Sequence, residues 1–329
     1  MTGSMEKIQR LYGLRPGLAL IAIPAGLFLL ATPAWAWQKQ TPEDALLSVN
    51  NNLGLFLVPD QNVNYVEPNG SLTACTGGGS CANYSDEESG GLFGDGFSMD
   101  YMSREMKLYA HLSYRLETGH LGYNGQTQTG TPVQGTSGAR IGDWDFKLGK
   151  GFMLSKDQRV LLTPYLEFGT HFWQRDVGLG TASQFGEDYQ NDYWDAGTMI
   201  QYAPPLHVLH QNDLVFSGNA GMGETLGPNI SVPSANPPMP NAAALGQEPI
   251  LHAGLEADWH AMSALWAFFG YEYTYFSYFP SSIYSNAAGA VEEPASFTNY
   301  NAYKIGVKIP FSGFALMAHE IARIVDSKN

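Results

Sequence analysis

Hydrophobic and polar residues alternate along much of this chain, most clearly between residues 160 and 175. Leu166 and Phe168 belong to one face of this segment, and Glu167 and His171 belong to the other. Consecutive side chains of a strand point to opposite faces. The alternation therefore predicts a β-strand with one apolar and one polar face.

Residues 143–154 repeat the alternation, and the polar turn at residues 155–158 makes the two segments a predicted hairpin. Six further segments share the period of two, namely 106–117, 193–203, 214–224, 250–259, 265–278 and 299–311. Two weaker candidates, 46–58 and 92–102, raise the number of predicted strands from eight to ten. We prefer ten strands and keep eight as the alternative.

The predicted connections alternate in length along the chain. Four are short, at residues 103–105, 155–158, 204–213 and 260–264. Five are long and rich in Gly, Pro, Ser and Asn, at residues 59–91, 118–139, 176–192, 225–248 and 280–298. A soluble β-sandwich also alternates apolar and polar faces, but regular short and long connections are typical of a membrane β-barrel.

The last predicted strand carries Lys304, Gly306, Ile309 and Phe311 at fixed offsets. This order of a polar residue, a glycine, a hydrophobic residue and an aromatic resembles the closing strand of small Gram-negative outer-membrane β-barrel proteins. The resemblance implies an all-β fold, a closed antiparallel transmembrane β-barrel with short periplasmic turns and long extracellular loops. It also implies contact with outer-membrane lipids, with lipopolysaccharide and with the barrel-assembly machinery.

The first 36 residues predict a cleaved secretory signal peptide. Basic residues precede an apolar run at residues 18–30, and residues 34–36 form a small-x-small cleavage pattern. An uncleaved anchor is the alternative, but the run is shorter than the ~20 residues of a spanning helix. We therefore expect export to the cell outer membrane and a mature chain that begins at Trp37.

Composition supports a membrane barrel and argues against nucleic acid as a partner. Cleavage removes three basic residues and one acidic residue, which changes the formal net charge from −14 to −16. Such acidity opposes binding to phosphate backbones. The 37 Gly, 18 Tyr, 17 Phe and 7 Trp suit a turn-rich barrel with aromatic girdles at the membrane interfaces.

Two cysteines, Cys75 and Cys81, flank a five-residue Gly-rich segment. We expect a small disulfide loop, because exported chains meet an oxidising compartment. Zinc binding is the alternative, and the lack of a nearby histidine argues against it.

Residues 312–329 follow the barrel region, which we place at 37–311 after the signal peptide at 1–36. Apolar residues recur in this tail at three- and four-residue spacing, as Phe314, Met317 and Ile321 do. That spacing predicts an amphipathic helix, which we expect on the periplasmic side.

Charged residues of both signs collect on the polar faces of the strands. They are Lys107, His111, Arg115, Glu117, Asp143, Asp145, Lys147, Glu167, His171, Arg175, Asp195, His252, Glu256, Asp258, Glu272, Lys304 and Lys308. The interior of a small barrel is only wide enough for side chains, and buried charges need partners. We therefore expect an interior filled by ion pairs. A narrow polar conduit and a catalytic cluster near the rim are the alternatives.

Some small outer-membrane barrels are enzymes. Omptin proteases have ten strands and activate water with an Asp pair and a His–Asp pair at the rim, and Asp143 with Asp145 resembles such an Asp pair. No matching His–Asp motif accompanies it in the predicted rim. Lipid-A-modifying barrels use a His-Ser-acid group on the lipid-facing side, and His252 has no serine beside it. We therefore expect no catalytic site.

Two further segments carry residues of the types that bind metals. His207 and His210, with Asp213, lie in a predicted turn, and residues 86–88 form an acidic run in a predicted loop. The acidic run lacks the spacing of a calcium-binding loop. We expect a solvated turn and a solvated loop, with no metal and no cofactor.

Together these features predict a non-enzymatic outer-membrane β-barrel protein with a structural or surface-interaction role. Its long extracellular loops would contact an unknown extracellular ligand. The first alternative is a narrow channel for small solutes. The second is a membrane-embedded hydrolase of the omptin or lipid-A-deacylase type.

Overall fold

Ten long strands form the wall of a barrel in the computed structural model. They are β1 (Asn52–Gly70), β2 (Tyr84–Met102), β3 (Leu108–Gln126), β4 (Pro132–Lys150), β6 (Val160–Val177), β7 (Phe185–Tyr202), β8 (Leu214–Ser231), β10 (Pro249–Met262), β11 (Leu265–Tyr278) and β14 (Ser296–Pro310). Four strands of two or three residues accompany them, namely β5 (Phe152–Met153), β9 (Ala243–Ala244), β12 (Tyr284–Asn286) and β13 (Gly289–Val291). One helix, α1 (Pro42–Ser48), precedes β1.

The structure describes residues 40–70, 84–126, 132–179, 184–206, 213–232, 242–262, 264–286 and 289–312. The predicted signal peptide, both cysteines and nearly all of the C-terminal tail lie outside these ranges. No helix within the ranges is long and apolar enough to cross a membrane, a criterion that does not address strands.

The ten strands close into an antiparallel ring. Each long strand pairs with the next long strand along the chain, and β14 returns to pair with β1. At this seam Leu53 lies opposite Ile309, and the backbone N–H of Phe311 donates to Asn51 at 3.0 Å. The preferred count of ten strands and the closed all-β fold are therefore confirmed.

An apolar belt surrounds the outside of the barrel. Phe168 is 52% exposed and Ile305 is 53% exposed, although both are large hydrophobic residues. A continuous belt of large exposed hydrophobic residues is typical of the lipid-facing surface of a membrane barrel. The belt is formed by residues such as Leu148, Leu166, Phe168, Ile200, Leu255, Phe269 and Ile305.

Seven strands are longer than is needed to cross the apolar belt. β1–β4 have 19 residues each and β6–β8 have 18. At ~3.3 Å per residue and ~40° of tilt such a strand is roughly 45–50 Å high, whereas the apolar band of a membrane barrel is about 25 Å tall. We call the end at which they extend beyond the belt the projecting end, and the opposite one, with the turn at residues 103–107, the turn end.

The projecting strands correct the predicted loops. Residues 59–70 continue β1, and residues 132–139 already belong to β4, so both had been assigned wrongly to connections. The connection between β3 and β4 spans only residues 127–131. Backbone pairing maintains these strands without the apolar alternation that marks a membrane-facing segment.

The start of the first predicted strand was also wrong. Residues 46–48 belong to α1, and β1 begins at Asn52. Thr41 caps the helix by accepting a hydrogen bond from the Asp44 backbone N–H at 3.1 Å, and Pro42 occupies the first turn. Both are helix-start signals. They outweigh the short apolar run that follows.

Candidate functional site in the barrel interior

Helix α1 closes the turn end of the barrel. Ala45 and Leu46 are fully buried and pack with Leu161, Val215 and Trp266 of the wall. This apolar plug explains why side chains on the inner face of the strands are hydrophobic at this end, although the same face is charged further along.

Polar contacts attach α1 to the wall. Ser48 Oγ accepts a hydrogen bond from Trp266 Nε1 at 3.0 Å, and Lys107 Nζ lies 2.5 Å from Glu43. The sequence predicts Lys107 on the interior face of a strand over residues 106–117, but the residue lies in the turn before β3, with a φ of 55°. Its charge therefore anchors the plug and does not join the interior network.

An aromatic layer fills the interior at the projecting end. Its buried members include Tyr65, Trp173, Tyr189, Phe276, Tyr278 and Tyr300. The Arg175 guanidinium carbon lies 4.2 Å from the centroid of the Tyr65 ring and 4.9 Å from that of Trp173. Arg175 also forms ion pairs with Glu88 at 3.0 Å and with Glu187 at 2.8 Å.

Several residues of this layer were missed by the sequence analysis. Tyr65, Glu67, Glu88 and Glu187 had been assigned to loops, but all four are buried on strands. In particular, the acidic run at residues 86–88 is the start of β2 and not a solvated loop. The alternation of inward and outward residues around Tyr65 could have indicated that this segment is a strand.

One glutamate reaches the layer from a connection. Glu293 follows β13, is almost fully buried and accepts a short hydrogen bond from the Tyr189 hydroxyl. Burial first, and then the nearby carboxylates of Glu187 and Glu67, raise the pKa of Glu293 well above its usual range. The Tyr189 hydrogen bond therefore holds the connection before β14 against the barrel mouth, while burial and the neighbouring carboxylates favour the protonated form of Glu293.

A charged network occupies the middle of the interior. Arg115 Nε lies 2.8 Å from Asp143 Oδ2, and its Nη1 lies 3.1 Å from Glu272. Lys147 contacts Glu167 at 3.1 Å and Asp145 at 3.7 Å. Two lysines of the closing strand add further pairs, because Lys304 contacts Glu272 and Lys308 contacts Glu256 and Asp258. The pairs of Lys147 with Asp145 and of Arg115 with Glu117 lie within one strand. The other pairs join different strands, so the charges also cross-link the wall.

Three histidines lie beside aspartates in this network. His111 Nδ1 is 2.8 Å from Asp100, His171 Nδ1 is 2.7 Å from Asp143 and His252 Nδ1 is 2.8 Å from Asp195. A carboxylate-paired imidazole is a candidate general base when its other nitrogen faces substrate.

In two of the three pairs a protein group occupies the second ring nitrogen. His111 Nε2 lies 3.3 Å from Asp145, and His171 Nε2 lies 3.3 Å from the Tyr300 hydroxyl. These two imidazoles are therefore committed to internal contacts.

The Asp pair that resembles an omptin site is engaged in the same way. Asp143 contacts Arg115 and His171, whereas Asp145 contacts His111, Lys147 and the Ser113 hydroxyl. Both carboxylates are therefore paired with cationic or hydroxyl groups of the interior network.

An Asp-x-His spacing does occur at Asp258 and His260, near the turn end of β10. The His260 ring stacks on Trp266 with centroids 4.7 Å apart, and Asp258 lies 2.8 Å from Lys308. The pair is therefore packed in the interior at the turn end, far from the projecting end.

An interior cavity of about 140 Å³ remains between the plug and the aromatic layer. Glu167, His252, Tyr193 and Asn219 are among the residues that line it. A water molecule occupies about 30 Å³ of the liquid, so the space suits a few waters or one small ion with its hydration.

Comparison with known proteins supports the fold and no finer assignment. No protein-family model matches the chain, and no curated protein matches it. Among solved structures, the outer membrane protease OmpT of Escherichia coli matches with a TM-score of 0.50 at 10% identity, over 80% of this chain and 97% of that one.

Two other outer-membrane structures superpose less well. The toluene transporter TodX of Pseudomonas putida gives a TM-score of 0.30 at 9% identity, over 82% of this chain and 93% of that one. The β domain of the Bordetella autotransporter BrkA gives 0.31 at 13% identity, over 76% and 98%. At such identities the likeness concerns the fold alone.

Proposed function

We propose that this chain, which has the fold of a ten-stranded outer-membrane β-barrel, is a non-enzymatic and non-conducting protein of the cell outer membrane. Its projecting strands present connecting segments to the cell exterior for surface interaction. The observation that carries the proposal is the closure of the interior at both ends, by α1 at the turn end and by the aromatic layer at the projecting end.

The internal contacts of the histidines support a non-enzymatic role. A hydrolase needs a base and a nucleophile that substrate can reach. Here His111, His171, Asp143 and Asp145 contact other side chains of the described interior. We expect no cleavage of peptides or of lipopolysaccharide by the purified protein.

A narrow channel is the second candidate, and the polar cavity in the interior favours it. Conduction would require both closures to open, so the two proposals differ in a measurable way. In planar bilayers the mature protein should give no steady conductance, and a variant that lacks residues 40–50 should remain closed because the aromatic layer persists. Steady channels from the intact protein would replace the proposal with the transport function.

Surface presentation can be tested by cysteine labelling in a chain that carries Cys75→Ser and Cys81→Ser. Ser282 is exposed after β11, whereas Lys156 is exposed in the turn before β6. A membrane-impermeant maleimide should label Ser282→Cys on intact cells and should label Lys156→Cys only after lysis. The reverse result would contradict the proposed orientation.

A further inference from the structure

Three potential metal ligands converge beside the interior cavity. Glu167 on β6, Asp195 on β7 and His252 on β10 place one ligand atom each within 4.8 Å of the others. His252 Nδ1 lies 2.8 Å from Asp195 Oδ2 and 3.8 Å from Glu167 Oε2. Ligand atoms around tetrahedral zinc lie about 3.3 Å apart, given bonds of about 2.0 Å. Small side-chain rotations would bring the three atoms to that spacing.

Part of this cluster lacks partners. Asp195 is fully buried, and its Oδ1 has no hydrogen-bond partner among the described residues. Glu167 is 2% exposed, and its Oε2 also lacks a hydrogen bond within the described interior, although Lys147 lies 3.1 Å away as an ion pair. A buried carboxylate oxygen without a partner is costly, and a bound cation would supply the partner that Asp195 Oδ1 lacks.

The surroundings leave room to complete a coordination shell. Glu167 and His252 both border the cavity of about 140 Å³. One imidazole nitrogen and two carboxylate oxygens suit zinc, whereas calcium and magnesium prefer oxygen ligands alone. A water molecule from the cavity can occupy the fourth position.

We propose that Glu167, Asp195 and His252 form an interior site for one divalent transition-metal ion, with Zn²⁺ as its simplest occupant. The three ligands belong to three different strands, so the bound ion joins the wall across the interior. This role is independent of whether the barrel conducts. The bound ion further stabilises a barrel that the pairing of its strands already forms.

Lys147 competes with the ion for Glu167. Its ammonium group already lies near both Glu167 and Asp145, and a second cation close to it is repelled. Replacement of this lysine by an uncharged side chain should therefore strengthen metal binding, whereas replacement of a ligand should weaken it. A metal site predicts opposite changes in zinc affinity for these two replacements, whereas a general effect on folding would weaken binding in both.

Isothermal titration of tag-free mature protein with ZnCl₂, after chelator treatment in detergent, tests the site. The background chain carries His207→Ala and His210→Ala, so that zinc bound by that segment does not contribute. We expect one zinc per chain by elemental analysis and a higher Tm with zinc. His252→Ala and the isosteric Asp195→Asn should weaken binding by more than about 100-fold, beyond the usual effect of supporting groups.

Two matched variants complete the experiment. Lys147→Met should tighten zinc binding by at least about tenfold. His111→Gln changes another histidine of the interior that also lies beside an aspartate, and it should leave the zinc affinity unchanged. A gel shift between heated and unheated samples confirms that each variant is folded. Absence of zinc uptake by the background chain, or full uptake by folded Asp195→Asn, would overturn the proposal.

Discussion

Arg175 shows how one interior residue stabilises its surroundings. Its guanidinium contacts two glutamates, Glu88 and Glu187, and its side chain is 1% exposed. Arg175→Ala would leave both carboxylates buried without their cation, a loss of about 3–5 kcal/mol. We expect a correspondingly lower free energy of unfolding in a urea titration of the detergent-solubilised protein.

The matched control is Arg140→Ala. Arg140 is exposed on the outer face of β4 and contacts the Phe172 ring at 5.9 Å. Its loss should change the free energy of unfolding by about 0.5 kcal/mol or less. Equal effects from both variants would show that the interior contacts of Arg175 contribute nothing specific.

Glu293 predicts a pH dependence at the projecting end. Because burial and the neighbouring Glu187 and Glu67 raise its pKa, the folded state binds the Glu293 proton more tightly than the unfolded chain does. The stabilisation is complete below the ordinary Glu pKa of about 4.3 and is lost as the pH rises through the raised pKa.

Thermal unfolding between pH 5 and pH 9 should therefore depend less on pH in Glu293→Gln than in the unmodified chain. Glu105→Gln, which changes an exposed glutamate in the turn before β3, should retain the original dependence. An unchanged pH dependence in Glu293→Gln would contradict the assigned role.

At the scale of the element, β6 shows that one strand meets two different environments along its outer face. Phe168 lies in the apolar belt, whereas Gln174 on the same outer face lies towards the projecting end. A charge near the bilayer midplane costs about 2–4 kcal/mol, and a charge near the interface costs at most about 1 kcal/mol. Phe168→Arg should therefore reduce insertion into the membrane far more than Gln174→Arg does.

Insertion can be measured as the fraction of folded protein in lipid vesicles, from the gel shift between heated and unheated samples. Comparable losses from both substitutions would mean that the belt does not reach Phe168, or that the projecting part of β6 is also surrounded by lipid.

At the scale of the whole molecule, closure depends on the seam between β1 and β14. A Cβ added at Gly306 would lie 2.3 Å from the backbone oxygen of Leu55 and 2.7 Å from the Phe268 ring. Real Cβ contacts are not that short, and the backbone on one side cannot rotate away. Gly306→Ala should therefore reduce the yield of closed barrel on refolding.

Gly122→Ala is the matched control, because its added Cβ would meet nothing closer than the Ser89 backbone oxygen at 3.6 Å. The fraction of protein that gains protease resistance on refolding measures closure for both variants. Equal yields would show that the close approach at Gly306 is not needed for the seam.

The sequence alone determined the strands of the membrane belt and their two faces. The alternation of Leu166 and Phe168 with Glu167 and His171 is a local property, because the geometry of a strand fixes where each side chain points. The closing-strand residues likewise indicated the barrel before any pairing was known. For these features neighbouring residues along the chain carry all the necessary information.

Only the tertiary structure decided where the strands end and which interior groups meet. The projecting part of β1 is maintained by hydrogen bonds to β2 and to β14, and α1 is buried because it packs into the turn end of the barrel. Glu167, Asp195 and His252 are far apart in sequence, and the register of closed pairing brings their ligand atoms together. Such contacts depend on which strands pair and in which register, and no local pattern encodes either.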